Sequence, residues 1–320
     1  MLEGRKSWAV AAVLVVAIAS GIGWWLGSHR SGPARLLGRL PGENLLLLYA
    51  DFAQARQTRA LEPLIRSQVA TGPDYAAFVR ETGFDYQRDL DAAAVAYLPD
   101  RVYVVAQGRF DPGRLRQYAV AQGGGCTGTS LDRPCWMPAS QPGRKISYLL
   151  LDPGLLALAT APEQDAVLGL AALPPPTAES LGQAVAALNP RRALVWLTAS
   201  PAGLDQVFRQ ASSPNLALFA RPLATAQRAY LFVNDRSPNL EISLQAVCAS
   251  EAQAGEMRQL LQGLHNFLGG LLRGGRGTAK PPTEWERVLA SAVIEQKAGT
   301  VHASWTLDAT VLETFGAAVR

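Results

Sequence analysis

Short apolar runs and turn residues alternate along residues 41–173. The run Asn44–Asp51 (NLLLLYAD) predicts a buried strand. Two apolar runs meet at Asp100, and two more meet at the turn Asp152-Pro153-Gly154, so each pair predicts a hairpin. The predicted strands are Asn44–Asp51, Ala92–Pro99, Arg101–Phe110 and two within Ile146–Ala161. The predicted helices are Phe52–Ala70, Tyr75–Thr82, Pro112–Gln122 (with Asp111 as its N-cap) and Pro162–Leu173.

Residues 177–320 repeat this order of elements after the prolines Pro174–Pro176. The predicted strands are Arg192–Ala199, Arg228–Val233, Asn239–Ala249 and Thr300–Leu307. The predicted helices are Pro201–Ser212, Leu216–Ala226, Glu251–Leu272, Trp285–Gln296 and Val311–Val319. Strand–helix–hairpin–helix–strand–helix is the order of a split βαβ unit. We therefore predict the α+β class, with two pseudo-repeated, ferredoxin-like halves at residues 41–173 and 177–320.

Residues 7–28 form an uncharged, apolar segment long enough to cross a bilayer as a helix. Trp8 and Trp24 lie near its two ends, as in interfacial aromatic belts. We expect a single transmembrane anchor, preceded by a cytoplasmic stub at residues 1–6 and followed by a linker at residues 29–40. A cleaved signal peptide, with Ala17 and Ala19 at the cleavage site, is the second interpretation. An inverted, cytoplasmic topology is the third. The favoured anchor places the C-terminal domain on the periplasmic side.

One stretch supports a resemblance to a group of proteins. Leu40-Pro41-Gly42-Glu43 is followed by Leu45–Asp51 and then by Thr82–Asp91 (TGFDYQRDLD), which precedes a predicted hairpin. This order resembles a group of uncharacterised bacterial envelope proteins with an N-terminal membrane segment and a TGFDxxRDLD-type stretch. The resemblance covers residues 40–110. It implies a membrane-anchored envelope protein and supplies no catalytic residue.

The acidic residues of that stretch have two interpretations. Gly83 can end the preceding helix, after which Asp89 and Asp91 would accept backbone N–H bonds in a turn before a strand. We favour this structural turn. The alternative is a metal or ligand site formed with Asp85, although the spacing lacks the glycine and the terminal glutamate of a Ca²⁺-binding EF-hand loop.

The cysteine spacing predicts a disulfide. Cys126 and Cys135 are separated by eight residues that include Gly and Pro, and an exported chain would meet oxidising conditions. We expect a structural disulfide between them; free thiols and redox or metal chemistry are the alternatives. Cys248 lies in an apolar strand, where it is expected to be a buried small side chain.

The predicted helix Glu251–Leu272 carries a strong apolar stripe. Its first interpretation is a helix packed on a sheet. The alternatives are a partner-binding helix, a membrane-lying helix or one wall of an apolar ligand cleft. The candidate partner or ligand residues are Met257, Leu260, Leu261, Leu264, Phe267 and Leu268.

Composition and motifs argue against several classes of binding protein and enzyme. The chain has 320 residues and a net charge of +4 with scattered basic residues, so nucleic acid is not an expected partner. The three His (His29, His265, His302) form no zinc-binding motif, and no nucleophile-elbow motif is present. The glycines at 123, 125 and 128 follow a predicted helix, whereas a dinucleotide site needs a strand there. We therefore assign no catalytic, cofactor-binding or metal-binding residue.

These observations favour a non-catalytic, membrane-anchored envelope protein that binds a protein partner as an accessory or scaffold subunit. The first alternative is a module that binds a lipid or another apolar ligand between the halves or under the helix Glu251–Leu272. The second alternative is a hydrolase whose site is assembled in space around His265 or His302.

Overall fold

The fold is a single antiparallel sheet with few helices. The computed structural model describes residues 33–41, 46–58, 61, 73–128, 133–172, 193–204, 223, 225–274, 288, 291–308 and 311. Twelve strands join in the order β11-β12-β10-β9-β8-β1-β2-β3-β7-β6-β5-β4, and every ladder between them is antiparallel.

The strand bounds follow the chain. They are β1 (Leu46–Asp51), β2 (Leu90–Tyr97), β3 (Val102–Gly108), β4 (Gly125–Cys126), β5 (Cys135–Pro138), β6 (Lys145–Asp152), β7 (Leu155–Ala161), β8 (Ala193–Ala199), β9 (Arg228–Arg236), β10 (Asn239–Val247), β11 (Val293–Lys297) and β12 (Thr300–Leu307). The described helices are α1 (Pro33–Leu37), α2 (Phe52–Ala55), α3 (Pro73–Thr82), α4 (Tyr86–Asp89), α5 (Pro112–Ala121), α6 (Leu168–Ala171) and α7 (Glu251–Gly274).

The two halves of the chain meet at the pairing of β1 with β8. Tyr49 lies opposite Trp196, and both are almost completely buried on one face of the sheet. Leu48 lies opposite Leu197 on the other face. Strands of both halves extend outward from this pair, so the core is continuous across the sheet.

One face of the first half is covered by α1 and by the segment around α6. Small side chains line the strands there, including Ala94 on β2 and Ala157 on β7, both fully buried. Because these side chains are small, leucines of the covering segments can approach the sheet closely at these positions. Leu36 of α1 and Leu170 of α6 are fully buried against this face.

The opposite face is covered by the helices α5 and α7. Leu115 and Ala119 of α5 pack over β5, β6 and β7. Met257 and Leu261 of α7 pack over the second half, beside Val301 of β12. The sheet therefore lies between helical segments on both faces.

Many local predictions are confirmed. The strand at β1, the hairpins β2–β3 and β9–β10, and the helices α5 and α7 occur where the pattern places them. Asp111 caps α5 as expected: its Oδ1 accepts a bond from Arg114 N at 3.0 Å, and Pro112 opens the helix.

The predicted class is wrong. The halves do not form two ferredoxin-like α+β units, because β1 and β8 pair with each other and merge all the strands into one antiparallel sheet. An apolar strand such as β1 needs a neighbouring strand on each side. Its second neighbour, β8, begins about 140 residues later in the chain. The local sequence pattern does not reveal a pairing over that separation.

Three predicted helices are also wrong in their extent. The helix expected from Phe52 ends at Ala55, and the one expected over Pro162–Leu173 reduces to Leu168–Ala171. The end of the helix predicted at Trp285–Gln296 is instead the strand β11, which pairs with β12.

Among the described residues, no helix combines the length and the apolarity that a bilayer crossing needs. The predicted transmembrane segment, residues 7–28, lies outside the described residues.

We predict that Leu170→Ala lowers the free energy of unfolding by about 2–5 kcal/mol, because it leaves a cavity under α6. Leu168, two residues earlier in the same short helix, is 42% exposed. Leu168→Ala is therefore the matched control and should cost less than about 0.5 kcal/mol. Urea unfolding of both variants measures the difference. Equal losses would contradict the packing described for this face.

Candidate functional site

Helix α7 is stabilised by two capping hydrogen bonds at its start and by a buried apolar stripe. Ser250 Oγ accepts a bond from Gln253 N at 3.2 Å, and Gln253 Oε1 accepts one from Ala249 N at 2.8 Å. These bonds satisfy backbone N–H groups around the start of the helix. Met257 and Leu261 are then buried beside Cys248 and Val301, so the first part of α7 is fixed to the sheet.

The second part of α7 exposes apolar side chains. The helix continues from Leu261 to Gly274, about 20 Å at 1.5 Å per residue. Leu260 is 57% exposed and Phe267 is 58% exposed. Since these two residues are seven positions apart, they lie on the same face of the helix. We call Leu260, Leu264 and Phe267 the apolar edge of α7.

The six candidate residues on this helix differ in their burial. Met257 and Leu261 belong to the core, whereas Leu260 and Phe267 face solvent and Leu264 is half-buried. The side chain of Leu268 lies outside the described part of the structure. The stripe is therefore both a packing face and an exposed edge.

A cavity of about 660 Å³ opens between the start of α7 and the edge strand β11. It is lined by Glu251, Arg258, Ile294, Glu295, Gln296 and Ala298. Gln296 closes one side by donating from Nε2 to the backbone oxygen of Glu251 at 2.9 Å. The lining is polar and the cavity opens to solvent, in contrast to the closed apolar cavity that a bound lipid would need.

The histidines do not meet a nucleophile in the described part of the chain. His302 lies on β12 between Gln245 of β10 and Glu295 of β11. Its pKa is lowered, mainly by burial and also by Lys297, while Glu295 opposes this shift. No described Ser or Asp shares a hydrogen bond with His302. His265 lies half-buried on α7.

The disulfide lies at one end of the sheet. Cys126 of β4 is bonded to Cys135 of β5, and the two residues face each other in the ladder. Cys248 is a buried free thiol, as expected. Gly124 has a packing role near Cys126: a Cβ at this position would lie 1.9 Å from the backbone oxygen of Trp136.

The TGFDYQRDLD stretch forms the turn that leads into β2. Asp85 caps α4, accepting bonds from Gln87 N at 2.9 Å and from the Tyr75 hydroxyl at 2.8 Å. Asp91 forms an ion pair with Arg56 at 2.9 Å instead of accepting a backbone bond. In the part of the chain that the structure describes, no three His, Cys, Asp or Glu side chains are grouped to hold a metal ion.

Asp89 is the buried centre of this turn. Its carboxylate accepts bonds from Asp85 N at 3.0 Å, from Arg88 at 3.1 and 3.2 Å, and from Arg109 Nε at 3.3 Å. Hydrogen bonds from Arg88 above all, with those from Asp85 N and Arg109, lower the pKa of Asp89 to about 2. The sequence pattern does not reveal Arg109 as a partner, because the hairpin β2–β3 brings it back beside Asp89.

We predict that Asp89→Asn lowers the free energy of unfolding at pH 7 by about 1.5–3 kcal/mol, the range for hydrogen bonds to charged groups. The folded-state pKa lies below the unfolded value of about 3.9, so the stabilisation is present above pH 4 and is lost as the pH falls towards 2.

Chemical unfolding at pH 7 and at low pH tests this prediction. The exposed Asp165, converted to Asn, is the control and should change little at either pH. A difference between wild type and Asp89→Asn that does not shrink on acidification would contradict the role of the carboxylate.

The chain matches no protein-family model and no curated protein. Two solved structures resemble it, crystal forms III and IV of a protein named TP0453. Form III has 11% identity and a TM-score of 0.50, covering 88% of this chain and 98% of TP0453. Form IV has 12% identity and a TM-score of 0.50, covering 90% of this chain and 99% of TP0453. At this identity the likeness concerns the fold alone.

Proposed function

We propose that this protein is a non-catalytic envelope protein that binds a partner protein through the apolar edge of α7. The observation that carries the proposal is the exposure of Leu260 and Phe267 on a helix that Met257 and Leu261 anchor to the sheet. Exposed apolar groups of this kind mark interaction surfaces, and a central aromatic side chain often dominates binding energy.

A location outside the cytoplasm supports this proposal. The bond between Cys126 and Cys135 closes a short loop at the sheet edge. Disulfides persist in oxidising compartments and are rare in the cytosol, where thiols are kept reduced. An extracytoplasmic chain would meet its partner in the bacterial envelope.

A protein partner explains the apolar edge better than a lipid held inside the fold. Two cavities of the described residues, one beside α7 and one beside Asp89, are lined mainly by charged and polar side chains. The apolar edge is convex, since it follows the exposed surface of helix α7. A groove on another protein is the complementary shape for such a helix.

We predict that the double substitution Leu260→Ser and Phe267→Ser lowers recovery of the partner at least tenfold when the tagged full chain is purified after gentle solubilisation and chemical cross-linking. Neither side chain belongs to the core, so thermal unfolding of the variant should stay close to that of the wild type.

Val120 provides the matched control. It is an equally exposed apolar residue, at 57%, but lies on α5. Val120→Ser should leave partner recovery unchanged. Equal recovery with the double variant, or an equal loss with Val120→Ser, would contradict the proposal. Loss of a co-purifying lipid, with protein partners unaffected, would instead support an apolar-ligand module.

A further inference from the structure

A second cleft lies on the first half of the chain, away from α7. Its volume is about 290 Å³, and it is lined by Thr82, Gly83, Arg88, Asp89, Arg109, Phe110, Asp111 and Arg114. Three arginines face two aspartates in this lining, so the cleft carries an excess of positive charge.

Two of the arginines are oriented by Asp89. Arg88 donates to the carboxylate through Nε and one Nη, and Arg109 donates through Nε. Arg109 also donates from Nη2 to the backbone oxygen of Arg88. The bonds therefore hold the two guanidinium groups side by side, with one buried carboxylate shared between them. Both side chains remain more than half exposed, so part of each guanidinium stays open to a ligand.

The third arginine approaches from the first turn of α5. Arg114 Nε lies 3.8 Å from Asp111 Oδ2, a loose ion pair at the helix start. Its guanidinium lies over Gly83, which has a φ of +72°. A Cβ at position 83 would be 2.6 Å from Arg114 Nη1, so the glycine both ends α3 and leaves room for this side chain.

These three guanidinium groups come from separate parts of the chain. Arg88 belongs to α4, Arg109 follows β3, and Arg114 belongs to α5. Several guanidinium groups that line one cleft can together bind a tetrahedral oxyanion, because each carries five N–H donors. Arg88 and Arg109 use only some of their donors on Asp89 and on the backbone oxygen of Arg88. Phe110 adds an apolar wall, which suits the organic part of an ester.

We propose that this cleft binds the phosphate group of a phosphorylated ligand. The volume accommodates a phosphate with a small organic substituent. Asp89 acts here as the positioning residue that holds Arg88 and Arg109, and Arg114 supplies the third donor. The site is independent of the apolar edge of α7.

The test titrates the purified full chain with inorganic phosphate and with glycerol 3-phosphate by isothermal calorimetry, at constant ionic strength maintained with chloride. We expect saturable binding with one site per chain. Arg114→Gln should weaken binding at least tenfold while leaving the bonds of Asp89 in place, which an unchanged thermal unfolding midpoint would verify.

Arg80→Gln is the matched control. It removes the same charge from α3, but Arg80 is exposed and lies outside the lining of the cleft. Its affinity for phosphate should equal that of the wild type. Absence of saturable binding at millimolar phosphate, or equal weakening by Arg80→Gln and Arg114→Gln, would overturn the proposal.

A second arm distinguishes a soluble ligand from a lipid headgroup. Vesicles of phosphatidylcholine with and without phosphatidic acid are sedimented with wild type and with Arg114→Gln. Binding that depends on phosphatidic acid and on Arg114 identifies a lipid headgroup. Binding of glycerol 3-phosphate without retention on either vesicle identifies a soluble phosphate ester. Both results support a phosphate site.

Discussion

The pairing of β1 with β8 is the interaction on which the rest of the structure depends. It joins strands from the two halves of the chain in one ladder, with Tyr49 beside Trp196 on one face and Leu48 beside Leu197 on the other. Because both strands are central, each half completes the burial of the other. Without this ladder, each half would expose an apolar strand edge to solvent.

The continuous sheet also determines where the functional surfaces lie. On one face, α7 packs over the second half through Met257 and Leu261. Leu260 and Phe267 point away from that contact and are exposed to solvent. On the first half, the hairpin β2–β3 returns the chain so that Arg109 meets Asp89. The positions of the apolar edge of α7 and of the cleft beside Asp89 therefore both follow from the sheet topology.

Local sequence signals predict local structure well in this chain. Asp111-Pro112 marks the start of α5, and the apolar stripe marks α7, because caps and periodicity act within a few residues. Cys126 and Cys135 were predictable as a pair for the same reason. The strand β11 could not be predicted from the sequence. Its alternation of apolar and polar residues is short, and its valine, Val293, is exposed. Its pairing with β12 is what makes it a strand.

Long-range pairing also limits prediction of the candidate site. The stripe on α7 predicts which residues are apolar, but the position of the sheet decides that Met257 is core and Leu260 is exposed. The acidic stretch predicts a turn, and Asp85 does cap α4. Arg109 becomes a partner of Asp89 only through the register of the hairpin β2–β3. A single sequence does not reveal that register.

Amide hydrogen exchange with peptide-level mass spectrometry tests the central claim most directly. If β1 and β8 join the halves into one cooperative sheet, the peptides covering both strands should exchange slowest. Trp196→Ala should then reduce protection in β1 and β2 as well as in β8 and β9. Loss of protection confined to β8 and β9, with β1 and β2 unchanged, would show that the halves are stabilised independently and would contradict the account.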